Sequence, residues 1–182
     1  MAMLDAAQIL ALDRAHVWPP YTPAGSRETT PPIVVVGAEG CWLTTADGKR
    51  YLDGNSSWWV AALGHRHPRL CRVLTEQAGS LLHCSLAGIT HPYGAALAAE
   101  LSACAPPGLS RVFFSDDGST AVETAIKIAV QYWRQNGAPG RSRILTLDGG
   151  YHGDTSGAMS VGGSEAFRAS FGPLLFPALR SP

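Results

Sequence analysis

The residues best suited to chemistry in this chain sit in two short runs, each following an apolar stretch. The first, Ser115-Asp116-Asp117-Gly118-Ser119-Thr120, lies where a strand-like run gives way to a long helical pattern. Amides at a helix start have no partner inside the helix, and the helix dipole places partial positive charge there. Gly118 permits close backbone approach and Ser119 and Thr120 add hydroxyl donors, so the run suits a phosphate group. The same residues also suit an ordinary capped helix, with Asp117 or Ser119 as the cap. The second run, Gly149-Gly150-Tyr151-His152-Gly153-Asp154, follows the next strand-like stretch. In open α/β sheets ligands sit beyond the carboxyl ends of the strands, which puts both runs at one edge. Tyr151 could stack there on a planar cofactor, or half-bury itself in a Gly-rich turn.

Two aromatic runs come earlier. In Ser56-Ser57-Trp58-Trp59 the adjacent tryptophans cannot both face one core if the backbone is extended, so one of them lines a cavity or interface, unless both pack in other ways. Trp18-Pro19-Pro20-Tyr21 is stiff and must be extended or turned, because proline disfavours helix in the residue before it. His65, His67, His83 and His91 do not have the spacing of a helical metal pair, and His67 and His91 each precede a proline at a helix start.

The elements that must position these runs follow from periodicity. Residues 4–16 are expected to form a helix, with Leu4, Ala7, Leu10 and Ala11 on one face, and residues 22–32 a loop. Ile33–Val36, Cys41–Thr45 and Arg50–Asp53 are strand-like, and Asp47-Gly48 marks a hairpin between the last two. The state of Asn55–Leu63 is open. Pro68 opens a helix to about His83 with Leu70, Val73, Leu74, Leu81 and Leu82 as its apolar set, and a second helix covers Pro92–Cys104. Arg111–Ser115 is expected to be a short buried strand, Ser119–Asn136 a long helix and Arg143–Asp148 the next strand. Strand, helix and strand in that order predict a βαβ unit and a parallel sheet. Leu179–Pro182 is expected to add no further element. The chain thus divides into residues 1–67, a segment with a small antiparallel hairpin unit, and residues 68–182, the beginning of an α/β domain.

Composition narrows the partners. The 182 residues are 46% hydrophobic and 15% charged, enough to bury a core and unlike a disordered chain. Fourteen basic residues balance fourteen acidic ones, so there is no electrostatic footprint for nucleic acid or an anionic membrane. No signal-peptide pattern opens the chain, and it contains no apolar run of about 18 residues, so a cytoplasmic setting is expected. Cys41, Cys71, Cys84 and Cys104 form no CxxC pair and are expected to be buried free thiols.

Asp116-Asp117-Gly118-Ser119 followed by Ala121, Glu123, Ala125 and Lys127 resembles the phosphate-loop helix of class-III, fold-type I aminotransferases, and Tyr151-His152-Gly153 resembles that family's ring-stacking motif. Within the class, Ser56-Ser57-Trp58-Trp59, Gly88-Ile89-Thr90-His91, Gln131-Tyr132-Trp133 and Tyr151–Ser160 resemble the biotin-biosynthesis branch. The resemblance runs from about Asp13 to about Pro177. It implies pyridoxal 5'-phosphate as cofactor, with Gly118 and Ser119 on its phosphate and Tyr151 on its ring. It implies Trp58, Tyr21 and Tyr151 at the substrate. It implies amino transfer from S-adenosylmethionine to 8-amino-7-oxononanoate, giving 7,8-diaminononanoate, in a homodimer. Pro19 stands where the family usually has His, and Asp117 where Ser or Asn is commoner.

The family's Schiff-base lysine, and the aspartate that pairs with the cofactor's pyridinium nitrogen, lie further along its fold. Lys49 falls in the hairpin turn and Lys127 about two turns into the helix, roughly 12 Å from its start, and neither matches that lysine. The expectation is therefore the first part of a longer enzyme, inactive by itself and poorly soluble through its exposed apolar strand edges. The alternatives are another class-III aminotransferase acting on an ω-amine, against which Trp58-Trp59 and the Tyr21 segment argue, and a non-catalytic cofactor-binding or partner-pairing chain.

Overall fold

The computed structural model describes residues 4–23 and 25–182, so residue 24 of the expected loop lies outside the described residues. The chain forms two compact units, Met1–Thr90 and His91–Pro182, and the expected boundary after residue 67 falls within the first.

The first unit opens with α1 (Ala6–His16), started by a capping box in which Gln8 N donates to Asp5 Oδ1 at 2.8 Å and Asp5 N to Gln8 Oε1 at 3.0 Å. Within the expected 22–32 loop, Ser26–Thr29 closes one helical turn, α2, and Arg27 pairs with Asp13 of α1. Three antiparallel strands follow in the order β1 (Val35–Glu39), β2 (Trp42–Thr45) and β3 (Arg50–Leu52). The first starts two residues later than expected and runs three further, pairing to Glu39 opposite Trp42. The β2–β3 turn closes through Thr45 N to Lys49 O at 2.9 Å, with Gly48 at φ 79. A single turn, α3 (Ser56–Trp59), precedes α4 (Pro68–Ala78). The latter stops short of the expected His83 at Gly79-Ser80, where Ser80 N and Leu81 N both turn back to Gln77 O.

The second unit begins with α5 (Pro92–Cys104), capped by His91 Nδ1 accepting from Gly94 N at 3.2 Å and ended where Pro106 holds Ala105 extended. The long α6 (Gly118–Gln135) matches the expected helix to within one residue at each end, and the short β4 (Leu145–Leu147) occupies only the middle of the expected Arg143–Asp148 strand. The expected strand at Arg111–Ser115 does not form: no ladder partner stands beside it among the described residues, and Phe113 is largely exposed. The parallel pair is instead β4 with β5 (Leu179–Ser181), in the register Leu145↔Leu179 to Leu147↔Ser181. The chain end therefore does supply a strand, contrary to expectation. The crossover between the two carries α7 (Ser156–Val161), α8 (Glu165–Arg168) and a 3-10 turn (Ala169–Leu174).

Burial is concentrated in one place. Gly157 to Val161 of α7 are all buried, and Ala158, Met159 and Val161 are the buried apolar side chains of the described residues. The apolar set of α4 and the residues beyond it is exposed throughout, with Leu82 at 84%. The cysteines share that exposure. Cys41, Cys71 and Cys104 are exposed and Cys84 half-buried, all free, because the apolar stretches that carry them are uncovered.

Candidate active site

In the second unit the site is built on the start of α6. Asp117, at φ -156, caps the helix: its Oδ1 accepts from Thr120 N at 2.8 Å and its own N donates to Thr120 Oγ1 at 3.1 Å. The carboxylate that would repel a phosphate is thus spent on the cap. Helix geometry leaves the amides of Gly118 and Ser119 without an intrahelical acceptor, and a Cβ built on Gly118 would meet nothing within 4 Å. Donors, dipole and open space fit a phosphate group here.

The glycine-rich run lies directly against this helix start. Gly153, at φ 114, touches Ser119 so closely that a Cβ on it would collide with Ser119 Oγ and stand 2.7 Å from Ser119 Cβ. Gly118, Ser119 and the run carrying Tyr151 are therefore brought together. Tyr151 keeps 59% of its surface exposed, donates its hydroxyl to Asp154 Oδ2 at 2.8 Å and meets Phe167 edge-on at 5.8 Å.

What holds the two runs in contact is Glu123, one turn into α6. Its Oε1 accepts from Gly157 N at 2.7 Å, at the start of α7. The Thr155 hydroxyl, then the Gly157 and Ala158 amides and the Lys127 charge, hold the Glu123 carboxyl below its ordinary value against the opposing effect of partial burial. A Cβ on Gly157 would stand 2.6 Å from Glu123 Cδ and push that carboxylate aside. Behind it, α7 is tied to both strands: Thr146 Oγ1 donates to Val161 O, and Arg180 Nη2 to Gly162 O at 2.8 Å. Gly163 N closes the loop onto Gly150 O at 2.6 Å.

In the first unit Tyr21 and Trp58 meet edge to face with ring centroids 5.0 Å apart, and Trp58 stacks on Trp59 at 6.5 Å and 8°. The tryptophans share one side because their backbone is not extended. Ser56, Ser57, Trp58 and Trp59 take φ of 53°, 49°, 61° and 67°, a left-handed turn. Such a conformation costs about 1–2 kcal/mol per residue bearing a Cβ. Asp53 offsets that cost: Oδ1 accepts from Ser57 N at 2.9 Å, Oδ2 from Ser57 Oγ at 2.7 Å, and Oδ2 lies 2.8 Å from His65 Nε2. The Ser57 hydroxyl first, then its amide, then His65 hold the Asp53 carboxyl at about 2.

Asp53, Ser57, His65 and Glu123 have structural roles that sequence reasoning did not assign. Asp53 and Ser57 stand four apart without a distinctive motif, and Glu123 and Gly157 are 34 residues apart. Lys49 pairs with Asp47 at 2.7 Å in the hairpin turn, and Lys127 stands beside Glu123 on α6. Among the described residues no group of three His, Cys, Asp or Glu is placed to hold a metal ion, and no helix is long and apolar enough to cross a membrane.

The sequence pattern of the family Aminotransferase class-III matches residues 24–182. The adenosylmethionine-8-amino-7-oxononanoate aminotransferase of Geobacter sulfurreducens is 45% identical over 178 residues, covering 98% of this chain and 39% of that protein. Its namesake in Synechococcus elongatus is 49% identical over 161 residues, 88% of this chain and 37% of that protein. The crystal structure of the Methanocaldococcus jannaschii protein of the same name superposes with a TM-score of 0.91 at 38% identity, over 97% of this chain and 40% of that one. A thermostable (S)-enantioselective omega-transaminase from Thermomicrobium roseum superposes with a TM-score of 0.89 at 36% identity, over 99% and 41%. The chain spans between 37% and 41% of the length of these relatives.

Proposed function

Because the chain belongs to the class-III aminotransferase family and carries part of the fold-type I transferase fold, we propose that it works within a longer aminotransferase of biotin biosynthesis. The reaction moves an amino group from S-adenosylmethionine to 8-amino-7-oxononanoate, giving 7,8-diaminononanoate. The observation that carries this reading is the contact of Gly153 with Ser119, which joins a phosphate-binding helix start to a run bearing an exposed tyrosine ring.

In this reading Gly118 and Ser119 would hold the phosphate of pyridoxal 5'-phosphate through amides and hydroxyl, and Tyr151 would stack on its ring. When bound, the cofactor supplies the electron sink that amino transfer needs. The chain's own residues bind and orient. Asp117 and Thr120 set the first turn of α6, Glu123 fixes the Tyr151 run against it, and Tyr21 and Trp58 present an aromatic wall to substrate. The lysine and the acidic partner of the pyridine nitrogen come from the remainder of the enzyme, since Lys49 and Lys127 are both placed elsewhere. The reading includes a homodimer in the cytoplasm.

A second reading, an ω-amine transaminase, draws on the nearly equal structural likeness to the Thermomicrobium roseum enzyme. The deciding experiment supplies S-adenosylmethionine as sole amino donor to the full-length enzyme and follows 7,8-diaminononanoate. Product formation is expected. Turnover with simple ω-amines but none with S-adenosylmethionine would transfer the assignment to the second reading. Pyridoxal 5'-phosphate binding with no borohydride-trappable adduct and no turnover would make it a non-catalytic binding chain.

A further inference from the structure

We propose that Asp53 is the positioning residue for the Tyr21–Trp58 aromatic pair, acting through Ser57 to hold Ser56–Trp59 in its left-handed turn. The inference rests on the function above only for what the pair faces; the geometry stands without it. Four consecutive residues bearing a Cβ have φ between 49° and 67°. Left-handed stretches of this length do not persist by local preference, so the surroundings must impose them.

Asp53 is placed to do so from a fixed base. Its backbone N donates to Cys41 O at 2.9 Å, which ties it to the start of β2, and its side chain is only 6% exposed. Both carboxylate oxygens are engaged, one by the Ser57 amide and the other by the Ser57 hydroxyl and His65. His65 is itself anchored by a two-bond bridge to Gly40, with Gly40 N to His65 O at 3.0 Å and His65 N to Gly40 O at 2.7 Å. Gly64 makes that approach feasible, since a Cβ there would press on Gly40 O at 3.2 Å. The carboxylate thus links both ends of the 53–65 loop to the sheet. Local backbone bonds also close the turn, Trp59 N to Asn55 O at 2.8 Å and Ala61 N to Ser56 O at 2.9 Å, but they join residues of the turn to one another. The Asn55 side-chain bond to Trp58 N is 3.5 Å long and weak, which leaves Asp53 as the side chain that ties the turn to the sheet. Once the turn is left-handed, Trp58 and Trp59 stack, and Trp58 reaches Tyr21.

The test is fluorine NMR of the full-length enzyme labelled with 5-fluorotryptophan, its Trp58, Trp59 and Trp133 lines assigned by single substitution, without cofactor or substrate. Trp58 and Trp59 lines are shifted by the neighbouring rings, while Trp133, in α6 of the other unit, reports on folding independently. Asp53→Ala is expected to bring the Trp58 and Trp59 lines to their unfolded-chain positions and leave Trp133 unmoved. Adding Ser57→Gly to that variant is expected to restore roughly half of the shift, because glycine takes positive φ without a Cβ penalty. Unmoved Trp58 and Trp59 lines in Asp53→Ala overturn the proposal, as does a double variant no better than the single one. Should Asp53→Ala not fold, Asp53→Asn and Ser57→Ala decide. Each removes the hydroxyl-to-carboxylate bond and should displace both lines, and full retention in both overturns the proposal. Because no substrate is present, a failed S-adenosylmethionine assay leaves this result standing, and a failed line shift leaves the assay standing.

Discussion

At Ser56–Trp59 four residues with side chains take positive φ, whereas between Gly149 and Gly157 positive φ falls on glycine alone, at Gly149 and Gly153. Both segments carry an aromatic residue proposed for ligand binding, and both are held by a carboxylate accepting from a backbone amide. The supports differ in origin. Asp53 acts from four residues away and works against the intrinsic preference of the turn. Glu123 acts from 34 residues away on a loop whose composition already permits its shape. Unusual backbone can therefore be written into the residues that adopt it, or imposed on them by a neighbour. The first kind is intolerant of added atoms; the second is intolerant of losing a partner.

That contrast breaks most sharply at Gly153. Gly153→Ala combines a collision with Ser119 and an unfavourable φ of 114°, so a loss of about 3 kcal/mol is expected in urea unfolding of the second unit. Next comes the long-range support. Glu123→Ala removes a charge-assisted acceptor from Gly157 N and should cost about 2 kcal/mol, with Glu123→Gln costing about half of that because its carbonyl still accepts. Equal losses from both would show that shape rather than hydrogen bonding matters there. Asp117→Ala, which removes the cap of α6, should cost about 1 kcal/mol in the same measurement, and Asp117→Asn much less. The smallest expected effect is a gain: Ser56→Gly relieves a φ of 53° and should stabilise the first unit by about 0.5 kcal/mol.

Acid adds a separate test of the imposed turn. The Asp53 carboxyl is held at about 2 from an ordinary 3.8, so its folded-state pKa is depressed. Its contribution is complete above the ordinary value and disappears as pH falls from there through about 2. Tryptophan emission of the first unit should change over that window, and Asp53→Asn should flatten the change. An unaltered acid profile in Asp53→Asn would mean that other carboxylates dominate.

Much of this could be read from residue order alone. Pro92 and Pro106 bracket α5, Asp47-Gly48 marks the hairpin, and the run from Val122 to Trp133 has the helical period, because each signal acts over a few neighbouring residues. The glycine runs around Gly118 and Gly153 were visible for the same reason. Strand pairing was less legible. Arg111–Ser115 has strand composition yet no ladder partner among the described residues, while Leu179–Ser181, with no local mark, pairs with Leu145–Leu147. The cysteines misled likewise, since an apolar neighbourhood in sequence is not a cover in space.

The sequence by itself determined the four long helices, the hairpin and the residue types able to meet a phosphate and a flat ring, all of which follow from local preference. Only the tertiary structure decided that Gly153 rests on Ser119, that Glu123 reaches Gly157, and that Asp53 forces two serines and two tryptophans into a left-handed turn. Those contacts depend on where distant backbone segments come to lie, and such positions are settled by summed packing and hydrogen bonding rather than by the preferences of the residues concerned.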